Sequence, residues 1–212
     1  MKKHEIRTFD ITNLTTRSEE DSQTQIVTGY AAVFNSPTEL WDGLNEVIKP
    51  GAFSRALANS DVRCLFDHDW GKVLGRTKSG TLKLEEDDKG LRFEVELPNT
   101  TIANDLIQSM TRGDINQCSF GFYPTEETWD YNSEPVLRTI NEVELYEVSI
   151  VSLPAYEDTE AALSRNKQEM KQDIKTRKNL IKKSKQRLKR RRKKHEQKII
   201  ASITSSPRAT IK

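Results

Sequence analysis

Three side chains in this sequence are of types that do chemistry together: Ser119 in INQCSFGFY, His68 in FDHDW and Glu147 in LYEVSIV. A serine hydroxyl is a poor nucleophile until a base takes its proton. Hydrolysis through Ser119 therefore needs an imidazole within about 3 Å and a third group to orient that ring. Of the three histidines, His4 stands at the start and His195 in a basic tail, which leaves His68 as the candidate base. Its neighbours Asp67 and Asp69 would raise its pKa if they approached it. Glu147 is the favoured orienting group because it interrupts an apolar run, where a buried acid demands a partner. Glu144, Asp67, Asp69 and Asp114 compete with it. Arg76, or backbone N–H groups near Gly121, could stabilise an oxyanion. The two cysteines, Cys64 and Cys118, lie in apolar strand-like runs and read as buried reduced thiols. They offer no metal-site spacing, and no cofactor or metal is expected.

The elements that must position these groups follow from periodicity. In residues 115–123, alternation puts Gln117, Ser119, Gly121 and Tyr123 on one strand face and Cys118, Phe120 and Phe122 on the other. The second face has a core to fill, and the first sets a hydroxyl beside bare backbone. Upstream, HEIRTFDI, TQIVTGYAAVF (with Gly29 marking a bend or bulge), EVI, DVRCLFDH and KVLGRT read as strands. A polar loop, TTRSEEDSQ, separates the first two. GTLKLEE and GLRFEVEL form a hairpin across Asp87 to Gly90. Two helices are expected: a short one at AFSRALAN, and TTIANDLIQSMTRG, capped by Thr100 or Thr101 and stopped by Gly113. After a loop of Trp129, Asp130, Asn132 and Pro135 come two strands, VLRTINEVE and LYEVSIV, the second ending at Pro154. Leu145, Glu147, Ser149 and Val151 of that last strand share a face. Many short strands with two helices between them predict an α+β fold built on an antiparallel, partly closed β-barrel.

Charge divides the chain. Residues 1–163 carry 15 Lys/Arg against 29 Asp/Glu, a net −14, whereas residues 164–198 carry 17 against 3, a net +14. We expect a folded domain over 1–163 and a basic helical or disordered tail over 164–212, with the last dozen residues disordered. Ile174, Ile181 and Leu188 recur every seventh residue, too narrow a stripe for a coiled coil. No apolar run is long enough to span a membrane, and the start lacks the apolar core of a leader, so a cytosolic protein is expected.

The ordered set GYAAVFN, IKPGAF, FDHDWGKVLGRTKSGTLKLEEDDKGLRFEVELP, INQCSFGFY and LYEVSIVSLPA resembles the prohead proteases of tailed bacteriophages, from about Gln25 to Ala162. Those enzymes look related to the herpesvirus assemblins, serine peptidases on a partly closed β-barrel. The resemblance implies His68 as base and Ser119 as nucleophile. The herpesvirus enzymes use a second histidine as third member; with none in this body, an acid must serve, and Glu147 is chosen. It further implies an endopeptidase enclosed in the immature phage head in the host cytoplasm. There it would cut scaffold protein or the scaffolding segment of the major capsid protein, and then itself, with self-association open. The rival readings are a non-enzymatic assembly scaffold and a protein that binds nucleic acid or another polyanion non-specifically through KSKQRLKRRRKKH.

Overall fold

The computed structural model describes residues 4–10, 15–18, 25–152 and 160–204. In chain order the elements are β1 (Glu5–Asp10), β2 (Thr15–Ser18), β3 (Gln25–Val33), β4 (Thr38–Trp41), β5 (Leu44–Ile48) and α1 (Ser54–Asn59). Next come β6 (Arg63–Phe66), β7 (Asp69–Arg76), β8 (Leu82–Glu86), β9 (Gly90–Leu97) and α2 (Thr101–Arg112). The last are β10 (Gln117–Asp130), β11 (Val136–Val151) and α3 (Glu160–Thr204). The chain divides into two compact units, Met1–Ala161 and Ala162–Lys212.

The first unit is α+β, but its strands do not close into the expected antiparallel barrel. They form two sheets, one of seven strands in the order β1-β10-β11-β5-β4 with β6 and β7 branching from β11, the other β2-β3-β9-β8. The reason lies in β11, whose length lets it take two partners side by side. Val136–Ile140 pairs with β5 and Glu147–Ile150 with β6, both in parallel. A chain that returns parallel must cross over, and those crossovers branch the sheet.

Alternation then builds one core from both sheets. Phe120, Phe122, Val148 and Ile150 of the larger sheet join Val27, Leu91, Phe93 and Val95 of the smaller, with Phe53 beside α1 and Leu106 of α2. Full burial of each such side chain contributes about 1.5–3 kcal/mol. Helix α2 is capped as the sequence predicts: Thr100 accepts from the Ala103 N–H, and Gly113 closes the helix in the left-handed conformation at φ 83°. Cys64 and Cys118 are buried free thiols.

Five local expectations need correction. β2 lies inside the stretch expected as a loop, and the irregularity in β3 falls between Tyr30 and Ala32 rather than at Gly29. Trp129 and Asp130 belong to β10, and the two strands expected over residues 136–151 are one. Of the terminal dozen residues, 201–204 complete α3, and 205–212 lie outside the described residues.

Candidate active site

His68 sits at the tip of the β6–β7 hairpin. Phe66 pairs with Asp69, so Asp67 and His68 alone make the turn. Both are left-handed, at φ 52° and 56°. Two positive φ values in succession match the right-handed twist of the flanking strands, and Asp and His tolerate that region better than most residues. The Asp67 carboxylate accepts from the Ser152 backbone N–H at 2.7 Å and from its hydroxyl at 2.9 Å, tying the turn to the end of β11. The imidazole is thus held on a short, pinned tip.

Glu147 reaches it from β11. Pairing with β10 steps from Gly121↔Glu147 to Phe122↔Leu145, which leaves Tyr146 as a one-residue bulge. That extra residue changes the phase of the strand. Leu145 joins the core with Val148 and Ile150, so it does not share the face of Glu147 and Ser149 as plain alternation predicts. Glu147, 1% exposed, receives His68 Nδ1 on Oε1 at 2.8 Å and the Ser149 hydroxyl on Oε2. With both carboxylate oxygens engaged, the acid is fixed. His68 Nε2 is buried and makes no hydrogen bond among the described residues.

Ser119 lies on the same face of β10, paired with Ser149 on β11 and with Thr8 on β1. It is completely buried. Its hydroxyl donates to the Arg7 carbonyl at 2.9 Å and accepts from the Thr8 hydroxyl at 3.3 Å. Glu147 and His68 are therefore joined directly, while Ser119 stands one register step away on the same sheet face, its proton directed at backbone.

The sequence reading passed over His4. A Cβ built on Gly121 would overlap Glu147 Oε1 and lie 2.6 Å from His4 Nε2, so the second imidazole stands beside the acid over bare glycine backbone. Its ring meets Tyr123 and Tyr146 edge-on, each at 5.8 Å. Burial lowers its pKa and the nearby His68 acts in the same direction, outweighing Glu147 and Glu5. The only local signal was the strand-like alternation of HEIRTFDI, which brings His4 to the end of β1 beside the sheet.

The competing acids are engaged elsewhere. Asp69 accepts from the Gly71 N–H at 2.8 Å, Glu144 from the Tyr146 hydroxyl at 2.8 Å, and Asp114 is 3.2 Å from Arg112. Arg76 is bound to Asp61 through Nε at 2.8 Å, at the end of the β6–β7 hairpin opposite His68.

A hydroxyl, an imidazole and a buried carboxylate gathered on one face of a mixed sheet are the parts from which nucleophilic hydrolases are built. The chain belongs to the caudovirus prohead serine protease family, whose family model matches residues 12–173. It is 35% identical over 142 residues to the prohead protease of Enterobacteria phage HK97, covering 65% of this chain and 59% of that protein. It is 29% identical over 129 residues to the prohead protease of Escherichia phage T5, covering 59% of this chain and 58% of that protein. The chain thus spans under two thirds of the length of these relatives. Among solved structures, the bacteriophage T4 capsid assembly protease aligns with a TM-score of 0.47 at 12% identity, covering 71% of this chain and 98% of that one.

Proposed function

We propose that this chain is a serine endopeptidase that acts inside the assembling phage prohead, cutting scaffold protein or the scaffolding segment of the major capsid protein. Ser119 is the nucleophile, His68 the general base and Glu147 the orienting acid. The observation that carries this reading is the 2.8 Å contact between His68 Nδ1 and the buried Glu147 carboxylate, with Nε2 left unpaired on the sheet face that bears Ser119.

A carboxylate on Nδ1 accepts its N–H, so the lone pair resides on Nε2. As Ser119 Oγ attacks a peptide carbonyl carbon, its proton passes to Nε2. The tetrahedral adduct then collapses, the C–N bond breaks, and Nε2 returns that proton to the departing amine. Water attacks the resulting ester, gives a proton to Nε2, and the acid product leaves as Ser119 regains its hydrogen. Ser149 serves this cycle by holding the second oxygen of Glu147.

The basic segment supplies an address. Its net +14 over residues 164–198 suits an acidic scaffold segment or packaged polyanion, held without sequence preference.

Mixing the protein with the capsid and scaffold proteins encoded beside it tests the reading. Defined fragments are expected with the natural chain and none with Ser119→Ala or His68→Ala. Undiminished fragments from a well-folded Ser119→Ala protein would refute it.

A further inference from the structure

Ser119 cannot be reached as the chain stands. It is 0% exposed, and what covers its hydroxyl is β1. Six residue pairs, from Glu5↔Phe122 to Asp10↔Gln117, run antiparallel along β10, with Thr8 opposite Ser119. β1 is the terminal strand of the sheet, so without it the backbone of β10 beside Ser119 becomes an open edge. We propose that this edge is the binding site for an extended peptide and that β1 is its built-in occupant, lying where a substrate strand lies and withholding Ser119 until displaced. The proposal rests on Ser119 being the nucleophile.

Three observations support it. First, an extended segment offers a peptide carbonyl, that of Arg7, within hydrogen-bond reach of Ser119 Oγ, while His68 Nε2 goes unpaired. The hydroxyl is thereby occupied by a peptide and not by the base. Main-chain pairing of this kind is how exposed sheet edges take up peptides generally.

Second, the anchors of β1 separate in balanced pieces. Arg7 binds Glu46 of β5 at 2.6 Å and Glu5 of its own strand at 2.6 Å. Arg138 of β11 binds Glu46 at 2.8 Å, Glu127 at 2.5 Å and Glu5 at 2.8 Å. When β1 leaves, Arg7 and Glu5 go together as a neutral pair, and Arg138 stays with Glu46 and Glu127. Departure strips no buried carboxylate of its only cation, which is the costly event in buried ion pairs.

Third, the residue whose carbonyl meets Ser119 has a place made for its side chain. The Arg7 guanidinium lies 5.5 Å from the Phe122 ring centroid and against Glu46. An incoming strand with a basic side chain at that position finds the same acid and ring.

The test is the rate at which a fluorophosphonate labels Ser119, read by mass spectrometry. It compares the full chain, the full chain with Arg7→Ala, and a chain lacking residues 1–10, each checked for native circular dichroism. The truncated chain should label at least tenfold faster than the intact one, with Arg7→Ala in between. A synthetic peptide of residues 1–12 added back should restore the slow rate, and a scrambled peptide should not. Equal rates in the folded variants, or no slowing by the peptide at millimolar concentration, would overturn the occupancy. If truncation prevents folding, Arg7→Ala with competing peptide decides by the same criteria, since Arg138 still covers Glu46 and Glu5. Labelling of Ser119 in no variant would instead reject Ser119 as the nucleophile, and this inference with it.

Discussion

Glu147 is an acid that a strand core would ordinarily exclude, and its two oxygens are used up by His68 and Ser149. Replacing it by Gln keeps the shape but removes the acceptor that sets the tautomer of His68. We expect Glu147→Gln to lower the cleavage rate roughly a hundredfold or more with little change in KM. Steady-state kinetics on a scaffold peptide would check this, and a loss under threefold would strip Glu147 of its role. Gly121 makes a second prediction. Any side chain there intrudes on Glu147 Oε1 and on His4 Nε2, so Gly121→Ala should disturb the His68–Glu147 pair while leaving the core face of β10 untouched. The imidazole proton resonances should shift or broaden, and activity should fall at least tenfold, with the far-ultraviolet spectrum intact. The three candidate residues could be picked out because their signals are local: a hydroxyl on a strand face, a histidine between turn-forming acids, an acid in an apolar run. His4 was not, since its place depends on a strand pairing across more than a hundred residues that no local pattern encodes.

At the scale of elements, Glu5 of β1 and His4 just before it are groups whose pKa values are shifted in the docked strand. Docked His4 is held below the ordinary histidine value, mainly by burial, so the freed strand binds protons more readily than the docked one below about pH 6.5. Docking therefore weakens as pH falls through that range. Glu5 extends the trend: burial would raise its pKa, but hydrogen bonding from Arg138 and the charges of Arg7 and Arg138 bring it to about 2. Its contribution is complete above the ordinary carboxylate value of about 4.3 and disappears toward pH 2. Among the described residues, the charged or titrating neighbours of His4 are Glu147, His68 and Glu5, with Tyr123 and Tyr146 against its ring. Burial and its bond to Glu144 push Tyr146 up to about 12, so it stays neutral throughout. Amide exchange along Gln117–Phe122, corrected for intrinsic rates, should be faster at pH 5.5 than at pH 7.5, and His4→Gln should flatten the difference. No change in the natural chain would contradict the sign. The phase of β11 shows where periodicity misleads: one bulged residue, Tyr146, moves Leu145 into the core and keeps Glu147 out of it. The branched, partly parallel sheet was equally hidden, because crossover partners are chosen by the whole chain.

For the whole molecule, Arg138 binds acids of β1, β5 and β10 from its seat on β11. Removing it leaves Glu5, Glu46 and Glu127 with Arg7 as the remaining cation of the network, so Arg138→Ala should cost about 3–5 kcal/mol in urea unfolding. Arg7→Ala should cost distinctly less, and equal losses would refute this sharing of charge. The 45-residue α3 is a rod of about 68 Å carrying exposed Leu180 and Leu188 among its basic side chains. If it serves as an address, removing residues 165–212 should leave Ser119 labelling unchanged but abolish entry into proheads. Retention of the intact chain on an acidic polymer should fall steeply with salt. Faster labelling after the deletion would instead make the segment a restraint. The six-residue register that β1 offers to its own β10 is offered equally to the β10 of a neighbouring copy. At high local concentration strands can be traded between molecules, so reciprocal swapped pairs compete with self-closure, and each such pair leaves both copies of Ser119 covered.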